Sequence, residues 1–355
     1  MSPSHTVPGL IALFGSGETT ASGGRIFEAL AHDLEPPLLA AFLETPAGFE
    51  LNSPRVVGRV ADYFCARLQN YGPQIRIIAA RKKGTPFSPD DMEIIRPLLD
   101  ANLIFLGPGS PSYAVRQLEK SLAWQAVMAR HRLGAALGFA SAAAIAAGVL
   151  ALPVYEIYKA GEDPHWKEGL NLLGPYGLSL VFVPHWNNAE GGAELDTSRC
   201  FMGESRFETL RRSIPMGIPV VGIDENTGLI IDLARQSCRV IGKGSVIVLK
   251  ERAELRFLAG KGFPLRVLGE TTSPDPKSGI SPSIWEAIEK AEPHGTEPRE
   301  APSEVQSLLL QRNEARKRSE WDQADKLRAR ILALGWAVSD TPQGSQLKPL
   351  DLQDP

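Results

Sequence analysis

The chain has 355 residues, of which 43% are hydrophobic and 22% charged, and its 38 basic and 41 acidic side chains give a net charge of −3. A chain of this length forms one large domain with an appendage, or two domains, and it can bury a substantial core without a disulfide or metal staple. The near-neutral charge argues against a general nucleic-acid or membrane-surface binder, and the composition excludes disorder as the overall state.

The cysteines and the hydropathy pattern bear on the cellular compartment. Cys65, Cys200 and Cys238 are odd in number and far apart, so they form neither a disulfide framework nor a paired zinc-ligand pattern. No apolar run approaches the roughly 18 to 20 residues needed to cross a membrane, and residues 1–8 lack the regions of a signal peptide. We therefore predict a soluble, cytoplasmic protein with no membrane contact, no bound metal and no cofactor.

Short apolar runs alternate with amphipathic stretches from residue 9 to about residue 247. The runs predicted as strands are residues 10–14, 38–43, 75–79, 103–106, 135–139, 180–183 and 220–223. The stretches predicted as helices include residues 54–70, 90–100 and 113–130. Continuously apolar strands are typical of a parallel sheet buried on both faces, and their alternation with helices predicts a doubly wound α/β domain.

The second half of the chain ends this domain and adds another element. Short β-like segments at residues 229–233, 239–241 and 245–249 predict an antiparallel edge meander, which completes a domain of residues 1–270. Prolines are then frequent in residues 271–302, which predicts a linker with one short helix at residues 282–291. The pattern that follows predicts helices at residues 304–317 and 321–334, stopped by Gly335, as a helical hairpin over residues 303–347.

In an open α/β sheet, ligands bind at the carboxyl ends of the strands, so the residues after each strand are candidates. Residues 15–20, Gly-Ser-Gly-Glu-Thr-Thr, offer exposed amides for an anion, or they form a tight turn into a helix. They are not a P-loop, because no Gly-Lys-Ser/Thr follows. Residues 107–112 contain two glycines that allow close backbone approach to a ligand, or they are a plain turn, with Ser110 or Ser112 as the helix cap.

Ser141 is the candidate nucleophile. It lies in the segment Gly-Phe-Ala-Ser-Ala-Ala-Ala of residues 138–144, between the fifth predicted strand and an alanine-rich helix. A nucleophile elbow is so tight that its neighbours must be small, and it projects the hydroxyl above the sheet. Phe139 and Ala143 stand where the elbow pattern has glycine. The alternative is a serine that caps a buried helix.

A serine nucleophile needs a base and an acid that orients the base. His185 follows directly on a predicted strand, at the same sheet edge as Ser141. Asp224 and Glu225 follow the last buried strand and bring two carboxylates to that edge; a buried acid there is costly unless it faces an imidazolium. A structural role for a lone histidine is the alternative. The other histidines lie in a tail, in predicted helices, in a polar loop and in the linker: His5, His32, His131, His165 and His294.

The order Ser141, then His185 in Pro-His-Trp, then Glu225 in Gly-Ile-Asp-Glu resembles the aspartyl dipeptidase (peptidase E) and cyanophycinase family, over roughly residues 9–250. Residues 105–109 match its glycine-rich loop, and residues 184–189, continuing to Arg199 and Arg206, are the most specific part of the resemblance. This resemblance implies a class I glutamine amidotransferase-like, flavodoxin-like fold. It also implies a triad of Ser141 as nucleophile, His185 as general base and Glu225 as its orienting acid.

The same resemblance implies further site residues. The backbone amides of Gly109 and Ala142 would form the oxyanion hole. Arg116, one helical turn beyond the glycine-rich loop, is a candidate for binding a substrate carboxylate, with a solvated helix arginine as the alternative, and Asn187 is a second candidate for substrate binding. A glutaminase is the weaker interpretation, because amidotransferases carry cysteine at this elbow, while Cys200 lies elsewhere in the chain. The bulky Phe139 is expected to alter the elbow or to narrow the substrate pocket.

The tail resembles a different family. Residues 311–316, 321–328 and 340–344 are similar to the C-terminal extension of cysteinyl-tRNA synthetases. Neither His-Ile-Gly-His nor Lys-Met-Ser-Lys-Ser occurs in the chain, which argues against an aminoacylating enzyme. Residues 311–330 carry seven basic and four acidic side chains, a mild excess that permits RNA contact without requiring it. The alternative is a solvated helical hairpin packed on the main domain.

Helical spacing predicts which face of this hairpin is buried. The side chains expected to pack against Leu308 and Leu309 are those of Trp321, Ala324, Leu327, Ile331 and Leu334. The basic side chains expected toward solvent are those of Arg316, Arg318, Lys326 and Arg328.

Two classes of function follow. The first is a serine hydrolase of the peptidase or amidase type that acts on a small peptide or amide through Ser141, His185 and Glu225; selectivity for an acidic residue is its more specific form. The second is a non-catalytic amidotransferase-like binding protein, tethered to a hairpin that contacts tRNA or protein. The retained serine, histidine and glutamate favour the enzyme, whereas Phe139 and the tail favour the binding protein.

Overall fold

The computed structural model describes residues 7–251, 253–291, 302–318, 320–334, 336–341 and 344–349. The chain divides into two compact units, Met1–Pro293 and His294–Pro355. Three residues named above, His5, His294 and Gly335, lie outside the described residues, as do residues 292–301 of the predicted linker. Within the described residues, no helix is long and apolar enough to span a bilayer.

The first unit alternates strands and helices along the chain. Its strands are β1 (Ile11–Phe14), β2 (Leu39–Leu43), β3 (Gln74–Ile78), β4 (Leu103–Leu106), β5 (Ala136–Ala140), β6 (Leu150–Ala151), β7 (Lys167–Glu168), β8 (Val181–Val183), β9 (Val220–Ile223), β10 (Thr227–Asp232), β11 (Ser237–Gly242), β12 (Ser245–Lys250), β13 (Ala253–Leu258) and β14 (Gly262–Pro264). Its helices are α1 (Ala21–Ala31), α2 (Ser53–Arg67), α3 (Met92–Ile95), α4 (Pro111–Leu118), α5 (Leu122–Arg132), α6 (Ala142–Ala146), α7 (Val154–Tyr158), α8 (Gly203–Arg212) and α9 (Pro282–Lys290). Short 3-10 turns occupy Thr45–Ala47, Gln69–Tyr71, Arg96–Leu98, Gly174–Tyr176 and Leu265–Val267.

These elements confirm the predicted α/β class, and two helices differ from the prediction. The stretch at residues 113–130 forms α4 and α5 instead of one helix, because Lys120 has a φ of +58° and the Ser121 side chain accepts a hydrogen bond from the Trp124 amide to begin α5. The stretch at residues 90–100 shortens to α3 and a 3-10 turn, because the residue before Pro97 is disfavoured in a continuing α-helix.

The larger sheet has eight strands in the order β14-β11-β10-β1-β5-β4-β2-β3. The strands from β1 to β3 in that order are parallel, and β10 pairs with β1 in antiparallel orientation. Every residue of β1, β2, β4 and β5 is buried, as predicted for strands covered on both faces. This arrangement brings the carboxyl ends of β1 and β5 together at one edge, where Ser141 begins its turn.

The single sheet expected from the strand pattern is corrected by the structure. β8 and β9 leave the larger sheet and form a second one in the order β13-β12-β9-β8. The predicted meander is accordingly divided: β10 and β11 extend the larger sheet, with β10 in its interior, and β12 joins the smaller one. The chain changes sheets after Gly242, whose φ of +139° is accessible to glycine and not to residues with a side chain.

Both faces of the larger sheet are covered by apolar side chains. On one face a cluster of aromatic rings, Phe14, Phe27, Phe42, Phe64 and Phe105, packs between the sheet and helices α1 and α2. The other face carries Leu13, Ile104, Leu137 and Phe139 against α5. Each fully buried side chain of this size contributes about 1.5 to 3 kcal/mol to folding, so the sheet is the stable frame of the unit.

The end predicted for the first domain, residue 270, is too early. Helix α9 lies inside the predicted linker, and its Ile284, Trp285 and Ile288 side chains are buried in the same core cluster as the larger sheet. Arg132 also donates hydrogen bonds to the carbonyl oxygens of Pro276 and Ser278. Residues 271–291 therefore belong to the first unit, because apolar side chains at helical spacing outweigh the prolines around them.

The second unit contains α10 (Ser303–Lys317), α11 (Trp321–Ala333), β15 (Trp336–Thr341) and β16 (Gly344–Pro349). Its core contains Val305, Leu308, Leu327, Ile331, Trp336 and Val338. The predicted burial of Ala324, Leu327 and Ile331 is confirmed, but Trp321 is 58% exposed and Leu334 is 41% exposed. These two side chains lie at the ends of α11, and the antiparallel pair β15–β16, which the hairpin prediction missed, supplies Trp336 and Val338 to the core in their place.

Candidate active site

Three chain segments bring their side chains together at the carboxyl edge of the parallel strands. Ser141 follows β5, His185 follows β8, and Glu225 lies in the turn between β9 and β10. This turn also connects the two sheets, so the acid lies where the larger sheet meets the smaller one.

Ser141 has the backbone geometry of a strained turn. Its φ of +50° and ψ of −111° are unfavourable for a residue with a side chain. The next two residues, Ala142 and Ala143, are buried, so small side chains are required there. The Ser141 side chain makes no capping hydrogen bond to α6. The alternative role as a helix cap is therefore wrong, and the hydroxyl is available for another partner.

That partner is His185. The Ser141 Oγ lies 3.0 Å from the His185 Nε2, and the His185 Nδ1 lies 3.0 Å from the Glu225 Oε1. The pKa of Glu225 is lowered, first by its hydrogen bond to His185 and also by the bond from Asn188, which together outweigh its desolvation. An ionised carboxylate only accepts hydrogen bonds, so Nδ1 carries the imidazole proton, and Nε2 is left as the acceptor for the serine hydroxyl.

The two carboxylates of this turn have different partners. Asp224 is buried, and its Oδ2 accepts hydrogen bonds from the amide and hydroxyl of Ser245, at 2.8 and 2.6 Å. It therefore connects β9 to β12 and does not face His185. Glu225 alone of the pair reaches the imidazole.

Two asparagines hold Glu225 in place. The Asn188 Nδ2 donates to the Glu225 Oε1 at 3.0 Å, and the Glu225 amide donates to the Asn187 Oδ1 at 2.7 Å. Asn188 is buried, whereas Asn187 is exposed and does not line the cavity beside Ser141. Asn187 was predicted to bind substrate, but its observed contact is with the backbone amide of Glu225. The role of Asn188 could have been predicted from the same segment, residues 184–189, because an amide side chain close to the histidine can orient a carboxylate.

The loop at residues 15–20 is hydrogen-bonded to the two segments that carry the base and the acid. The Gly15 carbonyl accepts from the His185 amide at 3.0 Å, and the Gly15 amide donates to the Thr227 carbonyl at 2.8 Å. A side chain at Gly15 would lie 2.1 Å from the Asp224 carbonyl oxygen. Glycine is required here because two backbones approach closely, so the contacts of this loop are those of a turn.

A cavity of about 250 Å³ opens beside Ser141. Its lining residues are Gly109, Pro111, Ser141, Ala142, Ile145, Val154, Tyr155, Tyr158, Lys159, His185, Glu190, Cys200 and Phe201. Ala142 begins α6, so its N–H has no intrahelical acceptor. Among the hydrogen bonds of the described residues, none uses the Gly109 amide as donor. Both amides that the resemblance assigned to an oxyanion hole therefore border the same cavity as the serine hydroxyl.

The glycine-rich loop also packs closely against the backbone of the turn after β2. Gly109 has a φ of +147°, and a side chain there would lie 2.0 Å from the Pro46 carbonyl oxygen. The same carbonyl accepts from the Ser110 amide at 2.9 Å. Ser110, of the two candidate caps, accepts from the Tyr113 amide and begins α4. The loop is thereby held against the turn after β2.

Arg116 and Phe139 do not line the cavity of Ser141. Arg116 is exposed, and its guanidinium lies over the Tyr113 ring at 5.2 Å from the ring centroid. It lines a neighbouring cavity of about 470 Å³, which also contains Glu50, Tyr155 and Glu156. Phe139 is fully buried and packs on Trp124 in the core. The expectation that Phe139 narrows the pocket is wrong, because alternate side chains of β5 point to opposite faces of the sheet.

Cys200 lines the cavity, but its chemistry differs from that of an amidotransferase cysteine. Burial raises the pKa of its thiol to about 12, and the nearby Glu225 charge acts in the same direction. A thiolate is the nucleophilic form of cysteine, so this side chain packs as a small apolar group.

The aromatic side of the cavity was not predicted from the sequence. Tyr158 lies at the end of α7, and its ring centroid is 5.3 Å from that of Phe201, which in turn is 6.1 Å from the His185 ring. Arg206 donates to the Phe201 and Met202 carbonyl oxygens, so it holds this segment. Arg199 lies over the Trp186 ring, at 4.1 Å. Both arginines of the most specific motif thus support the loop around the base.

The fold has a counterpart among solved structures. A structure described as a peptidase from an acI-B1 Actinobacterium superposes on 74% of this chain and on 100% of its own, with a TM-score of 0.59 and 20% sequence identity. At that identity the likeness shows the fold alone, and it confirms the architecture that the N-terminal resemblance implied.

The C-terminal resemblance is confirmed by sequence. Residues 299–346 match the family described as the cysteinyl-tRNA ligase anticodon binding domain. The cysteine–tRNA ligase of Rubrobacter xylanophilus is 48% identical over 48 residues, 14% of this chain and 10% of the relative. The enzyme of Chlamydia pneumoniae is 47% identical over 49 residues, with the same coverage of 14% and 10%. The chain thus spans about a tenth of the length of these curated relatives. It combines an α/β unit, which has the fold of a solved peptidase, with a segment similar to the anticodon-binding domain of cysteinyl-tRNA ligases.

Proposed function

We propose that the first unit is a serine hydrolase of the peptidase or amidase type, which acts on a small peptide or amide. The observation that supports this proposal is the continuous hydrogen-bonded series from Ser141 through His185 to Glu225, with the serine hydroxyl at the wall of a cavity. A half-buried serine at a φ of +50° is costly to maintain without a function. The raised pKa of Cys200 leaves Ser141 as the nucleophile of this cavity.

The reaction proceeds in two halves. The Ser141 oxygen attacks the amide carbon while His185 Nε2 takes the hydroxyl proton, and Glu225 faces the imidazolium that forms. The amides of Gly109 and Ala142 donate to the oxyanion of the tetrahedral intermediate. His185 then gives its proton to the amine, and the C–N bond breaks. Water attacks the acyl-enzyme with His185 as the base, which releases the acid and restores Ser141.

Selectivity for an acidic residue is not part of this proposal. It depended on Arg116, which lies in the neighbouring cavity together with Glu50 and Glu156. One guanidinium beside two carboxylate side chains does not make a net positive site, so a substrate carboxylate gains little there.

The direct test is labelling with a fluorophosphonate probe, which reacts only with an activated serine. We expect wild type and the control Ser205→Ala, at an exposed serine of α8, to be labelled equally. Ser141→Ala should not be labelled, and His185→Gln should be labelled at least about a hundredfold more slowly. Labelling of Ser141→Ala at the wild-type level would refute the assignment of the nucleophile.

A second candidate function belongs to the second unit, and the match of residues 299–346 supports it. We propose that this unit contacts tRNA through exposed basic side chains. Arg318, Lys326 and Arg328 are all exposed, as predicted from helical spacing, whereas Arg316, predicted to be exposed with them, is half-buried. A protein that neutralises phosphates binds more weakly as salt rises.

The tRNA contact can be measured by fluorescence anisotropy with labelled bulk tRNA at two salt concentrations. The triple variant Arg318→Glu, Lys326→Glu, Arg328→Glu should lose most of the binding and its salt dependence. Changing the exposed acidic residues Glu320 and Asp325 to Gln and Asn serves as the matched control and should not weaken binding. Equal affinity of the wild type and the triple variant would refute the contact.

A further inference from the structure

The cavity beside Ser141 has an apolar and aromatic wall. Ile145 and Val154 are buried, with 2% and 7% exposure, and both border it. Tyr155, Tyr158 and Phe201 form the aromatic part of the wall, and the rings of Tyr158 and Phe201 contact each other. These side chains come from α6, from α7 and from the segment before α8, so three elements converge on one surface.

The charges around this wall lie at its margin. Lys159 and Glu190 are the lining residues with charged side chains, aside from the titratable His185, and both are exposed. The Lys159 Nζ lies over the Tyr158 ring at 4.8 Å from the centroid. Neither side chain takes part in an ion pair among the described residues. Among the residues that the structure describes, no arginine borders this cavity, so a substrate carboxylate inside it would face no bidentate partner there.

We propose that this cavity selects a neutral, apolar or aromatic side chain next to the scissile bond, which makes the substrate a small hydrophobic peptide or amide. This inference rests on the proposed function, since it places the side chain beside the Ser141 hydroxyl. An apolar group gains free energy when it leaves water for the wall of Ile145, Val154 and Phe201. A carboxylate in the same place loses hydration and gains no buried partner.

The wild-type protein is sufficient for the first test. Two series of dipeptides, X–Ala and Ala–X, are assayed with X as Leu, Asn or Asp, three side chains of similar shape and different polarity. We expect kcat/KM in the order Leu, Asn, Asp in the series whose varied side chain occupies the cavity, with Leu about 10- to 200-fold above Asp. If Asp is cleaved as well as Leu in both series, or better, the inference is overturned.

A variant that reduces the size of the cavity tests whether this wall causes the preference for apolar side chains. Val154→Phe fills the cavity and should lower kcat/KM at least about tenfold for Leu and Phe peptides, while Ala–Ala stays within about threefold. The control is Tyr71→Ala, an exposed aromatic just before β3, at the opposite edge of the sheet, which should change neither value. An equal loss for large and small peptides in a folded Val154→Phe would overturn the role of the wall, and the wild-type series decides even where this variant does not fold.

The variant Lys159→Met distinguishes recognition of an acidic side chain by Lys159 from recognition of an apolar side chain by the wall. If wild type prefers Asp and this variant loses that preference, Lys159 is an acid selector and the apolar inference is wrong. If the preference for Leu persists in Lys159→Met, the inference of an apolar specificity is supported. Failure of the proposed function is recognised separately, as absence of both probe labelling and cleavage. Calorimetry with the uncleaved dipeptides and Ser141→Ala then still compares Leu with Asp, and tighter binding of Asp would overturn the inference.

Discussion

Replacing the Ser141 nucleophile by glycine should make the protein more stable than replacing it by alanine. Ser141 has a φ of +50° and a ψ of −111°. A side chain in such a region costs about 1 to 3 kcal/mol, and glycine adopts it without that penalty. Both variants lose the same hydrogen bond to His185, so their comparison isolates the backbone.

The expected difference follows from two opposing effects. Relief of strain contributes about 2 kcal/mol at the middle of the range. The greater freedom of glycine in the unfolded chain removes about 0.5 to 1 kcal/mol of this. Ser141→Gly should therefore be about 1 kcal/mol more stable than Ser141→Ala, which corresponds to a Tm higher by about 2 °C for a unit of this size.

Differential scanning calorimetry of the full chain measures this difference, with fluorophosphonate labelling in parallel. Both variants should be unlabelled, so stability and function are separated in one pair of proteins. A Ser141→Gly protein that melts at or below Ser141→Ala would show that the turn is not strained. The description of residues 138–144 as an elbow would then be wrong.

Three further expectations concern other parts of the chain. Burial lowers the pKa of His131 to about 4; because the unfolded side chain still binds its proton near its ordinary pKa of 6.5, stability should fall by about 3 kcal/mol as the pH drops from 6.5 to 4. Urea unfolding of His131→Gln should show a shallower pH dependence than wild type, and parallel curves would refute this. Asn188→Ala removes a donor to Glu225 and should slow labelling of Ser141 about tenfold with little change in Tm, whereas an unchanged rate would show that this bond does not orient the acid. A chain ending at residue 293 should keep its labelling and lose tRNA binding; if it does not fold, the two units are not independent.

Much of the fold could be predicted from local sequence patterns. Continuous apolar runs mark strands covered on both faces, and the structure has a strand at each predicted run, with ends within a residue or so. The small residues around Ser141 indicated a tight turn, because only small side chains fit there. The C-terminal resemblance was equally visible, since motif spacing is a property of the chain alone.

The boundary of the first unit needed tertiary information. Prolines in residues 271–302 predicted a linker, because proline disfavours regular structure locally. Helix α9 nevertheless packs Trp285 into the core cluster of the larger sheet. The side chains that receive it come from elements far away in sequence, so no local pattern could show that the helix had a partner.

In the candidate active site, too, part of the arrangement could be predicted from the sequence and part depended on tertiary contacts. Sequence order predicted Ser141 and His185 at one edge of a single sheet, because the carboxyl ends of parallel strands meet there. The two side chains do meet, but Ser141 follows β5 of the larger sheet and His185 follows β8 of the smaller one. The choice between Asp224 and Glu225 was different, since both follow the same strand. It was decided by β12, whose Ser245 binds Asp224 and leaves Glu225 to face the imidazole.

The cavity was beyond the reach of sequence patterns altogether. Arg116 was a reasonable candidate by its distance along the helix from the glycine-rich loop, but its side chain lies over Tyr113 in a different cavity. Phe201 and Tyr158, separated by a long stretch of chain, meet in its wall. The sequence by itself determined the elements and the order of the reactive residues, because hydrophobic periodicity and turn chemistry act between neighbours. Which side chains face the serine was decided by contacts between distant segments, and these exist only once the two sheets have assembled.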